Sequence, residues 1–335
     1  MILEVILFIF GFILLIKGAD FFVKSASIIA KKLGVSQFII GLTLVAIGTS
    51  LPELGSTIIA SIKGQGGIVV GHLIGANIAN LGLIAGISSL LSVVVINKKM
   101  VKREGYLMLF TAIIFFLFCL NAQISRIEAA IMFLMYISYM FFIFDKKYTK
   151  DNKNDFRSFI NYVLEFKYLK YINYKPIKKK AEKKYLLKDG LIMILSGLAL
   201  FIGAKLIIDG TIFLSNQLNI APDLIAISVL AFGTTLPELS VAVSSIQKKL
   251  GNIALGNIVG SCIANLLLIA SISAFINPIS VSKLTLYYTA PFLILMSSIL
   301  LIFMKTKNRL KKFEGIALYL LYTLFIMSLL FINTL

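Results

Sequence analysis

Acidic residues are scarce in this chain of 335 residues: 15 aspartates and glutamates stand against 33 lysines and arginines, a formal net charge of +18. Such a balance could suggest nucleic acid. The basic residues form no soluble domain, however; they sit between apolar runs, as in membrane-protein loops, so no nucleic-acid partner is expected. There is one histidine, His72, with no serine–histidine pair and no paired-aspartate signature, which argues against an enzyme. The two cysteines, Cys119 and Cys262, lie in apolar segments, so no disulfide is expected. The first apolar segment carries Lys17 and Asp20 and has no convincing small-residue cleavage site; it is expected to be a retained span.

What is abundant is apolar sequence: 59% of residues are hydrophobic and the mean hydropathy is +0.95, values of an all-α polytopic membrane protein. Ten spans can be drawn, about 2–23, 37–62, 68–92, 104–121, 127–144, 189–210, 222–246, 252–276, 283–304 and 314–333. Lys24, Lys31, Lys32, Lys98, Lys99, Lys102, Arg103, Lys248, Lys249, Lys305, Lys307, Arg309, Lys311 and Lys312 then share one side with the central loop. Only Lys63, Arg126 and Lys283 fall on the other. The positive-inside rule makes the first side cytoplasmic, and an even number of spans puts both termini outside, as in a plasma-membrane protein. Residues 1–144 and 189–335 form the two halves. Residues 145–188 form a basic cytoplasmic linker, with lysines among aromatics in Phe166-Lys167-Tyr168-Leu169-Lys170-Tyr171. Such a segment either rests on anionic lipid headgroups or is a solvated linker whose charge sets topology. It lacks clustered acidic residues, so no calcium-sensing domain is expected there, and no protein partner is evident.

One stretch is out of place in this apolar chain. Gly48-Thr49-Ser50-Leu51-Pro52-Glu53 puts a carboxylate beside a helix-breaking proline inside a span, and Gly233-Thr234-Thr235-Leu236-Pro237-Glu238 repeats it. Proline lacks an N–H and clashes with the carbonyl one turn back. Pro52 should free the carbonyl of Gly48 and disturb that of Thr49, and Pro237 should act likewise on Gly233 and Thr234. At membrane depth such backbone survives only where it lines a cavity within protein. Carboxylate, carbonyl and hydroxyl oxygens are hard ligands that suit Ca²⁺ and Na⁺. The two copies are expected to face each other and hold a cation; the plainer reading is a proline kink beside a protonated glutamic acid.

An offset of 185 residues aligns the halves without a gap. Gly18-Ala19 falls on Gly203-Ala204, Ala46 on Ala231, and Gly71, Gly75, Ile78, Ala79 and Asn80 on Gly256, Gly260, Ile263, Ala264 and Asn265. Five spans per half, an odd number, make the second copy inverted, the architecture of secondary transporters with broken helices at the midplane. Asp20 and Lys24 align with Lys205 and Asp209 with signs exchanged, and are read as structural i, i+4 pairs. Asn80 and Asn265 are amides in apolar spans, able to ligate a cation or to make structural hydrogen bonds. His72 could make transport respond to pH, or be a buried neutral imidazole in a hydrogen bond.

With its paired G-T-[ST]-L-P-E and G-x-x-x-G-x-x-x-x-N motifs, the chain resembles the cation/calcium exchanger superfamily, close to archaeal and bacterial sodium/calcium exchangers. The resemblance covers essentially all ten spans. It implies ten transmembrane helices in two inverted five-helix repeats, Ca²⁺ exchanged for Na⁺, and four central cation sites. The ions would be transported substrates, with no cofactor. By that resemblance the Ca²⁺ ligands are Glu53, Glu238 and the backbone oxygens of Thr49 and Thr234. The Na⁺ ligands are drawn from the Ala46 and Ala231 carbonyls, Ser50, Thr235, Ser261 and the same glutamates and threonines, with Asn80 and Asn265 at the middle site. Ala76 stands where the family usually has serine, Cys262 and His72 each replace an asparagine, and Asn265 stands where some relatives have aspartate. An H⁺/Ca²⁺ antiporter is the second reading, because a desolvated carboxylate readily takes a proton. A calcium channel is the third, disfavoured by the repeat.

Overall fold

The computed structural model describes residues 2–32, 46–144, 155–165, 186–247, 251–306 and 308–332. The helices are α1 (Ile2–Lys32), α2 (Ala46–Thr49), α3 (Leu51–Ile62), α4 (Gly66–Leu91), α5 (98–119), α6 (Arg126–Phe144), α7 (Phe156–Leu164), α8 (Leu186–Leu218), α9 (Pro222–Thr234), α10 (Leu236–Gln247), α11 (Gly251–Ile276), α12 (Thr285–Lys305) and α13 (Lys312–Ile332). Among the described residues seven are long and apolar enough to cross a membrane, and the pair α9–α10, bent by 42°, makes an eighth. This is a helical polytopic membrane protein. The expected span 37–62 begins outside the described residues and leaves the 12-residue α3. The expected span 104–121 begins earlier, at Lys98, and contains a π-helical stretch, Val101–Gly105.

Elements recur at the 185-residue offset. α4 at 66–91 maps onto α11 at 251–276, and the two-residue strand β1 (Val94–Val95) maps onto β3 (Ile279–Ser280). β1 pairs antiparallel with β4 (Arg309–Leu310), and β2 (Gln123–Ile124) pairs with β3. α5 separates β1 from β2, so the two ribbons lie about one helix length apart. α4 starts at the β2–β3 ribbon, where a side chain on Gly66 would strike Ser280, and ends near β1. α11 starts at β1, with Asn252 accepting from the Asn97 N–H, and ends near β3. The two therefore run antiparallel. α1 and α8 do the same: Phe8 meets Gly210, Leu15 meets Gly203, and Gly18 meets Leu200. Glycines let these backbones touch, which is how helices associate where no water drives them together.

Packing sorts the helices into an inner pair and a lipid-facing shell. α4 is buried up to the exposed Leu90 and Leu91 at its end and α11 along most of its length, so each is apolar all round rather than striped. α1 and α8 expose Leu3, Ile6, Ile9 and Ile13, and Leu191, Ile194, Leu198 and Phe201. In water such a belt would be an aggregation surface; in hydrocarbon it costs nothing.

Two expectations change. Asp209 is not held within its own helix by Lys205; it forms an ion pair with Lys63 at the end of α3. Part of the linker is also docked rather than solvated. α7 buries Phe159 and Tyr162 against Phe142 and Tyr139 of α6, and stacks Phe156 on Tyr106 of α5. The aromatic run at 166–171 lies outside the described residues.

Candidate cation site

Both signature motifs are helix breaks. α2 stops at Thr49, Ser50 takes φ −91° and ψ 10°, and α3 starts with Pro52 in its first turn. α9 stops at Thr234, Thr235 takes φ −82° and ψ 1°, and α10 starts with Pro237 in its first turn. Proline is tolerated in a first helical turn because its missing N–H would have no helical partner there. Each break therefore presents a helix C-terminus with spare carbonyls, and beside it a helix N-terminus that favours the carboxylate in its first turn. That carboxylate is Glu53 in α3 and Glu238 in α10.

Both glutamates are 1% exposed. Neither meets a lysine or arginine among the described residues. Thr234 lies beside Glu53, yet neither carboxylate oxygen of Glu53 has a well-formed hydrogen bond among the described residues. Glu238 accepts from Ser50 Oγ at 3.4 Å through Oε1, while its Oε2 has no partner there. Burying two unpaired carboxylates is expensive, and a cation between them is the direct remedy.

Some of the other expected residues meet across the two halves at this pair, and the rest lie on the same or adjoining helices. Ser50 Oγ also lies 3.3 Å from Ser261 Oγ on α11. Thr49 Oγ1 reaches Asn257 Oδ1 at 3.5 Å. Thr235 donates its hydroxyl to Phe232 O at 3.1 Å, which leaves its lone pairs unspent. The Ala231 carbonyl takes the Thr235 N–H at 3.1 Å and lies 3.3 Å from the Thr234 hydroxyl. Ala46 opens α2. Asn80 lies in the π-helical stretch Ala79–Ile84 and Asn265 opens its counterpart, Asn265–Ile269; such widened turns often mark functional sites. Asn80 is buried, with neither amide atom in a well-formed hydrogen bond among the described residues. Asn265 Nδ2 donates to Asn77 Oδ1 at 2.9 Å, leaving its own oxygen unpartnered.

The halves are unequal where the sequence is. Ser261 supplies a hydroxyl near Glu238; its counterpart Ala76, fully buried, supplies none. Asn77 is a residue the sequence reading passed over. It faces its repeat counterpart, Cys262, with Asn77 Nδ2 donating to Cys262 O at 3.3 Å, and it orients Asn265. An amide in an otherwise apolar span was the available signal.

No group of three or more His, Cys, Asp or Glu side chains is assembled among the described residues. The donor set is two carboxylates with hydroxyls, amides and carbonyls, which suits alkali and alkaline-earth cations and not zinc or copper.

Buried carboxylates at paired helix breaks, ringed by neutral oxygens, define a membrane protein that handles hard cations. The family model described as "Sodium/calcium exchanger protein" matches residues 3–144 and 189–331, and the chain belongs to that family, one of transporters rather than enzymes. It is 42% identical over 300 residues to the sodium/calcium exchanger MaX1 of Methanosarcina acetivorans, covering 83% of this chain and 84% of that one. It is 29% identical over 273 residues to an uncharacterized membrane protein of Methanocaldococcus jannaschii, covering 81% and 79%. Among solved structures it is similar to the sodium-calcium exchanger NCX_Mj soaked with 2.5 mM Na⁺ and 10 mM Sr²⁺, with a TM-score of 0.59 and 28% identity over 98% of this chain and 99% of that one.

Proposed function

We propose that the protein is a secondary antiporter that exchanges Ca²⁺ for Na⁺ by alternating access. The observation that carries this reading is the pair of buried carboxylates without cationic partners among the described residues, each beside a hydroxyl of the opposite half, Thr234 at Glu53 and Ser50 at Glu238. Ca²⁺ takes Glu53, Glu238 and the backbone oxygens of Thr49 and Thr234. Na⁺ takes the Ala46 and Ala231 carbonyls with Ser50, Thr235, Ser261 and the shared glutamates and threonines. Asn80 and Asn265 serve the middle site. The scaffold is ten transmembrane helices in two inverted five-helix repeats; the antiparallel courses of α1 against α8 and of α4 against α11 support it. Each repeat then rocks against the other around a fixed midplane site.

Orientation follows charge. Lys98, Lys102, Arg103, Lys305, Arg309, Lys311 and Lys312 cluster near the β1–β4 ribbon, and Lys63, Arg126 and Lys283 near β2–β3. The first end is cytoplasmic with the linker 145–188, whose run of lysines and aromatics at 166–171 rests on anionic headgroups, and both termini are outside a plasma membrane. Tags at Met1 and Leu335 are expected to react from outside intact cells, and a protease site near Lys179 to be cut only from inside. The reverse pattern would overturn this orientation.

A second reading, H⁺ in place of Na⁺, is favoured by one observation: Ala76 leaves the Glu53 side with one hydroxyl fewer than the Glu238 side. Uptake of radiolabelled Ca²⁺ into proteoliposomes under an imposed Na⁺ or H⁺ gradient separates the two. Ala76→Ser is expected to lower the Na⁺ concentration for half-maximal exchange by about two- to tenfold, the value of one neutral oxygen contact. Ser261→Ala is expected to raise it. Wild-type flux that ignores Na⁺ and follows the pH gradient would replace Na⁺ with H⁺.

A further inference from the structure

His72 is the only histidine in the chain. It is fully buried, and both its ring nitrogens are engaged. Nε2 lies 2.8 Å from Thr234 Oγ1, in the break of the opposite half. Nδ1 lies 3.1 Å from Ser56 Oγ, one turn beyond Glu53. The ring thus bridges the two signature motifs.

The direction of this bridge follows from proton counting. Ser56 and Thr234 each have one hydroxyl proton to give, and a neutral imidazole has one N–H. The Ser56 hydroxyl is closest to the Pro52 carbonyl at 2.8 Å, against 3.1 Å for Glu53 O and for the ring. Thr234 Oγ1 is closest to His72 Nε2, with Leu230 O and Ala231 O farther away at 3.2 and 3.3 Å. The Ser56 end selects the arrangement: the serine proton goes to the nearer Pro52 carbonyl, so Nδ1 must be the donor there and Nε2 the acceptor. Thr234 donates to Nε2, the Nδ1–H donates to Ser56, and Ser56 donates to the Pro52 carbonyl. With its proton drawn to the ring, Thr234 Oγ1 has both lone pairs free beside Glu53. In the opposite tautomer the ring N–H would occupy one of them.

The second half contains the same device in simpler form. His72 aligns with Asn257, whose Oδ1 accepts from the Thr49 hydroxyl, and Ser56 aligns with Val241. An amide oxygen accepts without having to shed a proton on its far side. An imidazole that accepts at Nε2 carries its proton at Nδ1 and needs an acceptor there. At this position the half with histidine has serine and the half with asparagine has valine.

We propose that His72 is a positioning residue: held as the Nδ1–H tautomer by Ser56, it accepts the Thr234 hydroxyl proton and so turns that oxygen's lone pairs toward the transported cation. This rests on the proposed cation site and adds the Thr234 hydroxyl to the backbone oxygen of the same residue as a Ca²⁺ ligand; the experiment separates the two claims. With an untagged or non-histidine-tagged protein, ¹⁵N-histidine labelling reports on one residue only. The Ca²⁺-loaded protein is expected to show a protonated Nδ1 and a bare Nε2, a result independent of transport. Ser56→Ala removes the Nδ1 acceptor without touching the cation, so the spectrum should change to the Nε2–H form. The Ca²⁺ concentration for half-maximal exchange should rise by about two- to tenfold, the value of one neutral hydrogen-bonding contact, with the maximal rate little changed. His72→Ala should raise it equally, and His72→Asn should restore it, because the amide can accept from Thr234 as Asn257 does from Thr49. An Nε2–H or doubly protonated ring in the wild type overturns the proposal, as does a Ser56→Ala protein whose spectrum changes while its Ca²⁺ dependence does not. If the spectra behave as expected but Thr234→Val also leaves Ca²⁺ dependence unchanged, it is the ligand role of the Thr234 hydroxyl that fails, and the backbone oxygen of Thr234 stands apart from it.

Discussion

Glu53→Gln and Glu238→Gln are each expected to reduce Ca²⁺ exchange to near background while the purified protein remains folded. Glutamine keeps the shape of glutamate, but it removes the charge and puts an NH₂ donor in place of one acceptor oxygen. Two unit charges about 4 Å apart interact by about 4 kcal/mol at an effective dielectric of about 20. A divalent ion doubles that figure before desolvation offsets part of it. Even half of the doubled value corresponds to a loss of about a thousandfold in affinity. Folding should respond in the other direction, because each substitution relieves the cost of a buried unpaired carboxylate. Glu53→Gln should be the better tolerated of the two, since neither Glu53 oxygen has a well-formed hydrogen bond to lose among the described residues. The measurements are radiolabelled Ca²⁺ flux in proteoliposomes and thermal stability in detergent. Substantial flux from the double variant would sink the site.

How much of this was legible beforehand depends on where each feature's cause lies. The inner helices were read to within two residues, 68–92 against Gly66–Leu91 and 252–276 against Gly251–Ile276, because burial on all sides leaves an unbroken apolar run. The helix breaks at Ser50 and Thr235 were legible because proline acts locally. The start of α5 was misread. Lys98, Lys102 and Arg103 look like a loop, yet they are helical, with Arg103 paired to Glu104 and α7 packed nearby. Asp209 was given the wrong partner because i, i+4 spacing sees only its own helix, and Lys63 arrives from α3. The two-residue ribbons have no periodicity to detect. The links from His72 to Thr234 and from Asn77 to Asn265 join residues 162 and 188 positions apart, a distance over which no local pattern carries information.

The second large effect is expected at Gly75, where no charge is involved. A Cβ added there would lie 2.2 Å from the Ile227 carbonyl oxygen, 2.7 Å from Ile227 Cα and 2.8 Å from Ala231 Cβ. The obstructing atoms include backbone of α9, so no rotamer change relieves the contact and the helices must part. One turn earlier the same face of α4 meets α9 again, with Gly71 2.8 Å from the Asp223 carbonyl in the same sense. This contact positions the cation site, because α9 ends on Thr234 while α4 carries His72, Ala76 and Asn80. Overpacking of this kind costs about 1–3 kcal/mol where neighbours can yield and more where backbone must move. Gly75→Val is therefore expected to abolish recovery of a monodisperse protein on size-exclusion chromatography. Gly75→Ala should leave a folded protein with a lower melting temperature and weakened Ca²⁺ exchange, as α9 shifts Thr234 away from Glu53. Gly190→Ala is the control: nothing lies within 4 Å of a Cβ there, and alanine favours the helix by about 1 kcal/mol. A Gly75→Val protein that elutes and melts like the wild type would show that α4 and α9 do not touch here, and the Glu53–Thr234 geometry would lose its support.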